Sequence, residues 1–172
     1  MPTAYDIKNQ KGETMIDTTR LPVRPQNSDE LKSLIGQEIG PTDWHEVTQE
    51  RINAFADVTG DHQWIHVDPA RAAASDLGTT IAHGLYSLSL GPAFSQTLLS
   101  FEAFAHSLNY GYDKVRFPAP LPVDSRVRMT TRIASVDSVD GGVQIRSVQT
   151  YEREGSEKPV AIAESLGRLV ES

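Results

Sequence analysis

The chain has 172 residues, of which 38% are hydrophobic and 23% charged, an ordinary globular composition and enough length for one buried core. A net charge of −7 argues against a nucleic-acid partner, which needs a basic face. The absence of cysteine removes disulfides, thiolate nucleophiles and cysteine–zinc sites, and fits an expected cytoplasmic location.

Residues 1–26 are polar, carry Pro2, Pro22 and Pro25, and show no sustained periodicity. They read as an irregular extension outside the core, before a single domain over 27–172. No secretory signal is visible there. "NSDELKSLIGQ" predicts a helix, with Asn27 and Glu30 at capping-box spacing, Leu31, Leu34 and Ile35 on one face, and Gly36 as the stop. "TDWHEVT" reads as a short strand. "TQERINAFADVTG" predicts a helix capped by Thr48, apolar at Ile52, Phe55 and Ala56, and ended by Gly60. Residues 61–68 read as a loop, and "DPARAAASDLG" as a short helix with Asp68 as cap and Pro69 at its first position.

Residues 81–101 contain no Asp, Glu, Lys or Arg, yet hold His83, Pro92, Gln96 and several serines. That is too polar for a lipid-exposed span of about 20 residues, so no membrane association is expected. A helix starting at His83–Gly84 and apolar all round predicts an element wrapped by other structure, interrupted at Gly91–Pro92. The period then changes. "SRVRMTTRIAS" alternates, with Val127, Met129 and Ile133 on one face and Arg126, Arg128 and Arg132 on the other. "SLNYGYDKVRF", "GGVQIRSVQTYERE" and "KPVAIAESLGRLV" are further strands, with Asp140-Gly141-Gly142 as a hairpin turn. Helices followed by an antiparallel sheet make the fold α+β.

The stretch "FADVTGDHQWIHVDP" mixes titratable and apolar side chains in a loop. Singly, Asp61 reads as a turn residue and His66 as a buried histidine with one hydrogen bond. His62 is expected to be exposed, and Trp64 and Ile65 to anchor the loop in the core. His62 and His66 have i, i+4 spacing, but Pro69 and the loop signals argue against a continuous helix presenting them to a metal, and none is expected. At Ile81-Ala82-His83-Gly84-Leu85, two readings stand side by side. One is a plain helix start with His83 as a neutral cap. The other is an oxyanion site, where helix N-terminal amides face a carbonyl gaining negative charge and Gly84 permits close approach. An Asp and a His upstream of such a site suit proton transfer beside an activated carbonyl, since neither a cysteine nor a G-x-S-x-G elbow supplies a nucleophile.

Three blocks, "FADVTGDHQWIHVDPARAA", "IAHGLYSLSL" and "YGYDKVRFPAPLPVDSRVR", resemble the MaoC-like dehydratases, the (R)-specific enoyl-CoA hydratases, over residues 30–170. Phe55, Thr59, Gly60, Asp61, Ile65 and His66 match the first family motif, and the second block matches its apolar-x-His-Gly-apolar segment. The resemblance implies a hot-dog fold, an antiparallel sheet wrapped round a long central helix, in a homodimer. It implies a hydro-lyase of fatty-acid metabolism that hydrates trans-2-enoyl-CoA to (R)-3-hydroxyacyl-CoA, or the reverse. Asp61 and His66 would then activate a water, and the Gly84 amide would bind the thioester oxygen. The partner is an acyl-CoA or acyl-carrier-protein thioester, and no cofactor is needed because the thioester is the substrate. Gln63 and Trp64 stand where the family usually has Asn and Pro, a departure that bears on the substrate pocket more than on the reaction. Gln63, Trp64, His83, Tyr86, Lys114 and Arg116 are the candidate substrate contacts, the two cations reaching phosphates of coenzyme A. An acyl-CoA thioesterase and a non-catalytic acyl-thioester binder are the alternatives. A thioesterase would need its water-activating group at the carbonyl carbon, and a binder would need neither Asp61 nor His66.

Overall fold

The computed structural model describes residues 6–8 and 14–170. A small antiparallel pair, β1 (Asp6–Lys8) and β2 (Thr14–Ile16), stands apart from the main sheet. Val23 then enters the core: its amide donates to the Leu98 carbonyl at 2.8 Å, and its carbonyl accepts from the Ser100 amide at 2.9 Å. The expectation that residues 1–26 stay out of the core is therefore corrected at Val23. With its backbone amide and carbonyl both paired inside the protein, Val23 can bury its apolar side chain at no polar cost. Residues 1–5 and 9–13 of that extension lie outside the described residues.

Helix α1 (Ser28–Ser33) begins as its cap predicts, with Asn27 Oδ1 accepting from the amides of Asp29 and Glu30. The Glu30 carboxylate reaches back to the Gln26 amide at 2.8 Å, one residue before the cap. Strands β3 (Glu38–Ile39) and β4 (His45–Val47) follow. In α2 (Gln49–Thr59), Thr48 caps the start and Gly60 ends it at φ +78°. The predicted loop over 61–68 contains a turn of helix, α3 (Trp64–Val67), closed by His66 and Asp68 amides on the Gln63 and Trp64 carbonyls. Pro69 cannot extend it, lacking an amide hydrogen, and instead opens α4 (Pro69–Ala73), capped by Asp68.

The uncharged helix is two helices, α5 (Gly84–Ser89) and α6 (Gly91–Leu98), separated at Leu90. Pro92 accounts for the interruption from the chain's side. From the core's side, a Cβ on Gly91 would collide with the hydroxyl of Tyr151. The helices pack on one sheet built from β5 (His106–Arg116), β6 (Ser125–Val139), β7 (Gly142–Arg153) and β8 (Ala161–Val170). Strand order is β3-β6-β7-β8-β5, with β4 also on β6, and every pairing is antiparallel. The inward positions alternate along β7 and along β6 as far as Ile133, where the pairing register shifts, and Val127, Met129, Ile133 and Tyr151 are fully buried beneath the helices. The outward arginines form cross-strand ion pairs, Arg126 with Glu154 and Arg128 with Glu152.

The helix is not wrapped all round within this chain. Leu85 is 60% exposed, and Ser89, Pro92, Ala93, Gln96 and Thr97 continue the same exposed, uncharged side. The sequence pattern records that charge is excluded from that side, and only the packing shows that this chain's own strands leave it open. Among the described residues no helix is long and apolar enough to cross a membrane.

Candidate active site

The αL turn at Gly60 reverses the chain after α2, and α3 carries it back, so that Asp61 and His66 face one place. Segment 80–83 is laid against this turn by the Ile81 N–H on the Ile65 carbonyl at 3.0 Å, and is held from its other side by the Ala82 N–H on the Leu121 carbonyl at 2.7 Å. Side chains tighten the same contact. The Gln49 amide donates to the His66 carbonyl at 2.7 Å, and the buried Thr80 hydroxyl donates to Gln49 Oε1.

His66 is only 6% exposed, and its Nδ1 lies 2.6 Å from the Ile81 carbonyl. A carbonyl only accepts, so Nδ1 carries the hydrogen and Nε2 keeps its lone pair. Burial pushes the His66 pKa down, and nearby His83 adds to this, against opposing contributions from the Ile81 hydrogen bond and Asp61. The ring is thus a neutral base with its tautomer fixed. Asp61 has a 57% exposed side chain; Oδ1 accepts from the Gln63 amide at 3.3 Å. The turn role expected of Asp61 and its approach to His66 coexist.

His83, 4% exposed, stacks on His66 with ring centroids 3.7 Å apart and planes inclined 24°. Its Nε2 donates to the Asp61 carbonyl at 2.9 Å and lies 3.9 Å from Oδ2. Its Nδ1 is buried without a partner among the described residues. One donor atom from each of Asp61, His66 and His83 lies within 4.8 Å of the others. The cluster fits a metal poorly. Stacked rings direct their in-plane lone pairs along nearly parallel planes, whereas a shared ion needs them to converge. Nδ1 of His66 and Nε2 of His83 are also committed to carbonyls.

Gly84 is the first residue of α5, so its amide belongs to the unpaired first turn. A Cβ there would meet the Phe117 ring at 2.9 Å; the group that approaches Gly84 closely is Phe117. Phe55 completes the wall, its ring 5.0 Å from His83 and 5.6 Å from Tyr86. Tyr86 is buried, with its hydroxyl 2.8 Å from His45 Nε2. Burial raises the Tyr86 pKa; it also lowers that of His45, assisted by Arg51.

The other predicted contacts are more scattered. Gln63 is exposed and serves α3 through its backbone. Trp64 is half-buried beneath the Arg71 guanidinium, 4.4 Å from the ring centroid, rather than anchored in the core. His62 is exposed and paired with Asp57 at 2.9 Å. Lys114 and Arg116 are exposed on β5, without ion-pair partners among the described residues.

Sequence reasoning missed Gln49, Thr80 and Phe117. It also missed a cavity of about 220 Å³ between α6 and strands β5, β6, β7 and β8 of the sheet, which Tyr86 does not line. The readable sign of it was polar Thr131, Ser147 and Gln149 at inward strand positions.

An antiparallel sheet packed on a central helical segment, with Asp61 and His66 beside the N-terminal end of that segment, is the arrangement of a hot-dog protein. Solved structures share that fold: an R-hydratase from Pseudomonas aeruginosa aligns with a TM-score of 0.70 at 22% identity, over 86% of this chain and 88% of its own. A monoamine oxidase regulatory protein from Archaeoglobus aligns with a TM-score of 0.72 at 20% identity, over 89% of this chain and 99% of its own. The sequence model of the MaoC like domain matches residues 30–156. A curated relative, 3-hydroxyacyl-thioester dehydratase Z of Mycobacterium tuberculosis, is 49% identical over 142 residues, covering 82% of this chain and 94% of its own. Nodulation protein N of Rhizobium meliloti is 46% identical over 100 residues, covering 57% and 62%. The chain belongs to the MaoC-like dehydratase family.

Proposed function

We propose that the protein reversibly hydrates a trans-2-enoyl thioester to the (R)-3-hydroxyacyl thioester, with coenzyme A as the carrier. The observation that carries this reading is the Asp61–His66 pair, held within 4.8 Å at the start of α5, with His66 Nε2 bare and unprotonated. Water held between the two groups attacks C3, which the conjugated carbonyl makes electrophilic. Its proton passes to the pair, and C2 takes a proton from the pair as the enolate collapses. Negative charge gathers on the thioester oxygen, which the Gly84 amide receives. In dehydration the same groups remove the C2 proton and protonate the departing hydroxyl. Coenzyme A thioesters suit Lys114 and Arg116 as phosphate partners, because both cations are exposed and Arg116 immediately precedes Phe117, whose ring lies on Gly84. The cavity along α6 takes the acyl chain. The R configuration follows the family resemblance.

The test is loss of enoyl absorbance with crotonyl-CoA for wild type, Asp61→Asn and His66→Gln. Each variant is expected to fall by at least ~100-fold while keeping its fold by circular dichroism, since general acid/base groups contribute about 10²–10⁴-fold. A folded variant with near wild-type turnover removes that residue from the mechanism. Release of free thiol in place of hydration would make the protein a thioesterase.

A further inference from the structure

The inward face of the sheet should be apolar at every second residue, and at one place it is not. Thr131 on β6 stands opposite Gln149 on β7, and Ser147 on β7 stands opposite Ser165 on β8. All four line the cavity beside α6. Gln149 is satisfied inside the protein: it accepts from the Tyr151 hydroxyl at 3.0 Å and donates to Ser95 Oγ at 3.1 Å. Ser165 donates to the Ser147 carbonyl at 3.4 Å. The hydroxyls of Thr131 and Ser147 make no hydrogen bond among the described residues; the residues are 3% and 8% exposed, and neither oxygen is sealed in the protein, so both are open to the cavity that they line. Valine and alanine would line the same cavity with carbon alone, so two hydroxyls open to it and free of protein partners point to an occupant that bonds to them.

The occupant is not the reacting end of the substrate. Asp61, His66, His83 and Gly84 do not line the cavity, and its first helical residue, Pro92, lies eight positions beyond Gly84. Across the break at Leu90, eight residues at 1.5 Å each span at most roughly 12 Å, which places the cavity beyond C3 of a thioester whose oxygen sits at Gly84. Resting on the enoyl-thioester reading above, we propose that the cavity selects an acyl group carrying a hydrogen-bonding oxygen in its distal part, as a hydroxyl, ether or ketone. Thr131 and Ser147 are the specificity-determining residues for that oxygen. A plain alkyl chain of the same length strands both hydroxyls or leaves them to trapped water. Its binding is weaker for the same reason that a site built around a polar group rejects the analogue that lacks it.

The experiment compares two saturated acyl-CoA thioesters of equal length, one plain and one with a hydroxyl in its distal half, by titration calorimetry. It uses wild type, Thr131→Val, Ser147→Ala and the double variant, each checked for folding by thermal melting. Wild type is expected to bind the hydroxylated chain at least ~10-fold more tightly, as one buried hydrogen bond implies. The double variant is expected to lose or reverse that preference. Equal affinities in wild type, or a preference that survives in the folded double variant, overturns the assignment. Because calorimetry needs no turnover, failure of crotonyl-CoA hydration by wild type sinks the hydratase reading separately and leaves the selectivity result standing by itself.

Discussion

His66 has two neighbours that act on it in opposite directions. Burial and the stacked His83 ring disfavour its proton, while Asp61 and the Ile81 carbonyl favour it, and the balance lies with burial. A depressed pKa keeps the imidazole neutral around pH 7. The acid limb of kcat/KM should accordingly have its midpoint below the ordinary histidine value of 6.5. The sign for stability is the same. The unfolded chain takes up this proton first, so His66's contribution is complete above the unfolded value and is lost as pH falls through the folded one. A pH–rate profile with crotonyl-CoA checks the first statement; a midpoint above 6.5 contradicts a buried neutral base. His62, exposed and paired to Asp57, has its pKa raised instead, so a limb above 6.5 would point to that surface pair. His83 works through others: it donates to the Asp61 carbonyl and packs on His66, so it holds both groups in place. The alternative from sequence, a neutral histidine at a helix start, describes its position but not what it touches.

Among the elements, the broken central helix is the most instructive. Proline at 92 made an interruption legible, but proline is tolerated in a first helical turn and does not by itself require Gly91. The requirement for glycine comes from β7, where Tyr151 points its hydroxyl at Gly91 and bonds it to Gln149. Gly91→Ala is expected to destabilise the fold by about 1–3 kcal/mol, as inserting a methyl into a filled core does. Tyr151→Phe combined with Gly91→Ala should recover part of the loss. Chemical denaturation of the three proteins measures both, and a single Gly91→Ala with unchanged stability would mean that the helix junction shifts freely. The caps at Asn27, Thr48 and Asp68 were legible because a cap is local chemistry. Helix α3 was not, since a single turn has too few residues to show a period and is held by tertiary bonds from Gln49 and segment 80–83.

At the scale of the whole molecule, one long edge and one helix side remain uncovered. β5 ends the sheet and is exposed along most of its length, Leu108 and Tyr110 included, and Leu85 lies on the exposed side of α5. An unpaired edge of this length is a template for another strand. The expected outcome is a homodimer of two 18.9 kDa chains, paired through this edge by a two-fold axis. Sedimentation equilibrium checks it, and a monomer mass at micromolar concentration would refute it. Leu108→Asp together with Tyr110→Lys should shift the equilibrium toward monomer, because charge on an edge strand opposes pairing.

The sequence by itself determined what depends on neighbours along the chain. It located the capped helices, the alternating strands, the interruption before Pro92 and the motif residues Asp61, His66 and Gly84. Those features are governed by backbone periodicity, capping hydrogen bonds and the chemistry of single residues. Only the tertiary structure decided what depends on residues far apart. It brought Val23 to the end of α6, fixed the His66 tautomer through Ile81, placed Phe117 on Gly84 and stacked His83 on His66. It also turned three polar strand residues into the wall of a cavity. Each of these contacts exists because burial forces a polar group to find a partner wherever the fold supplies one, and that choice is not written in local spacing.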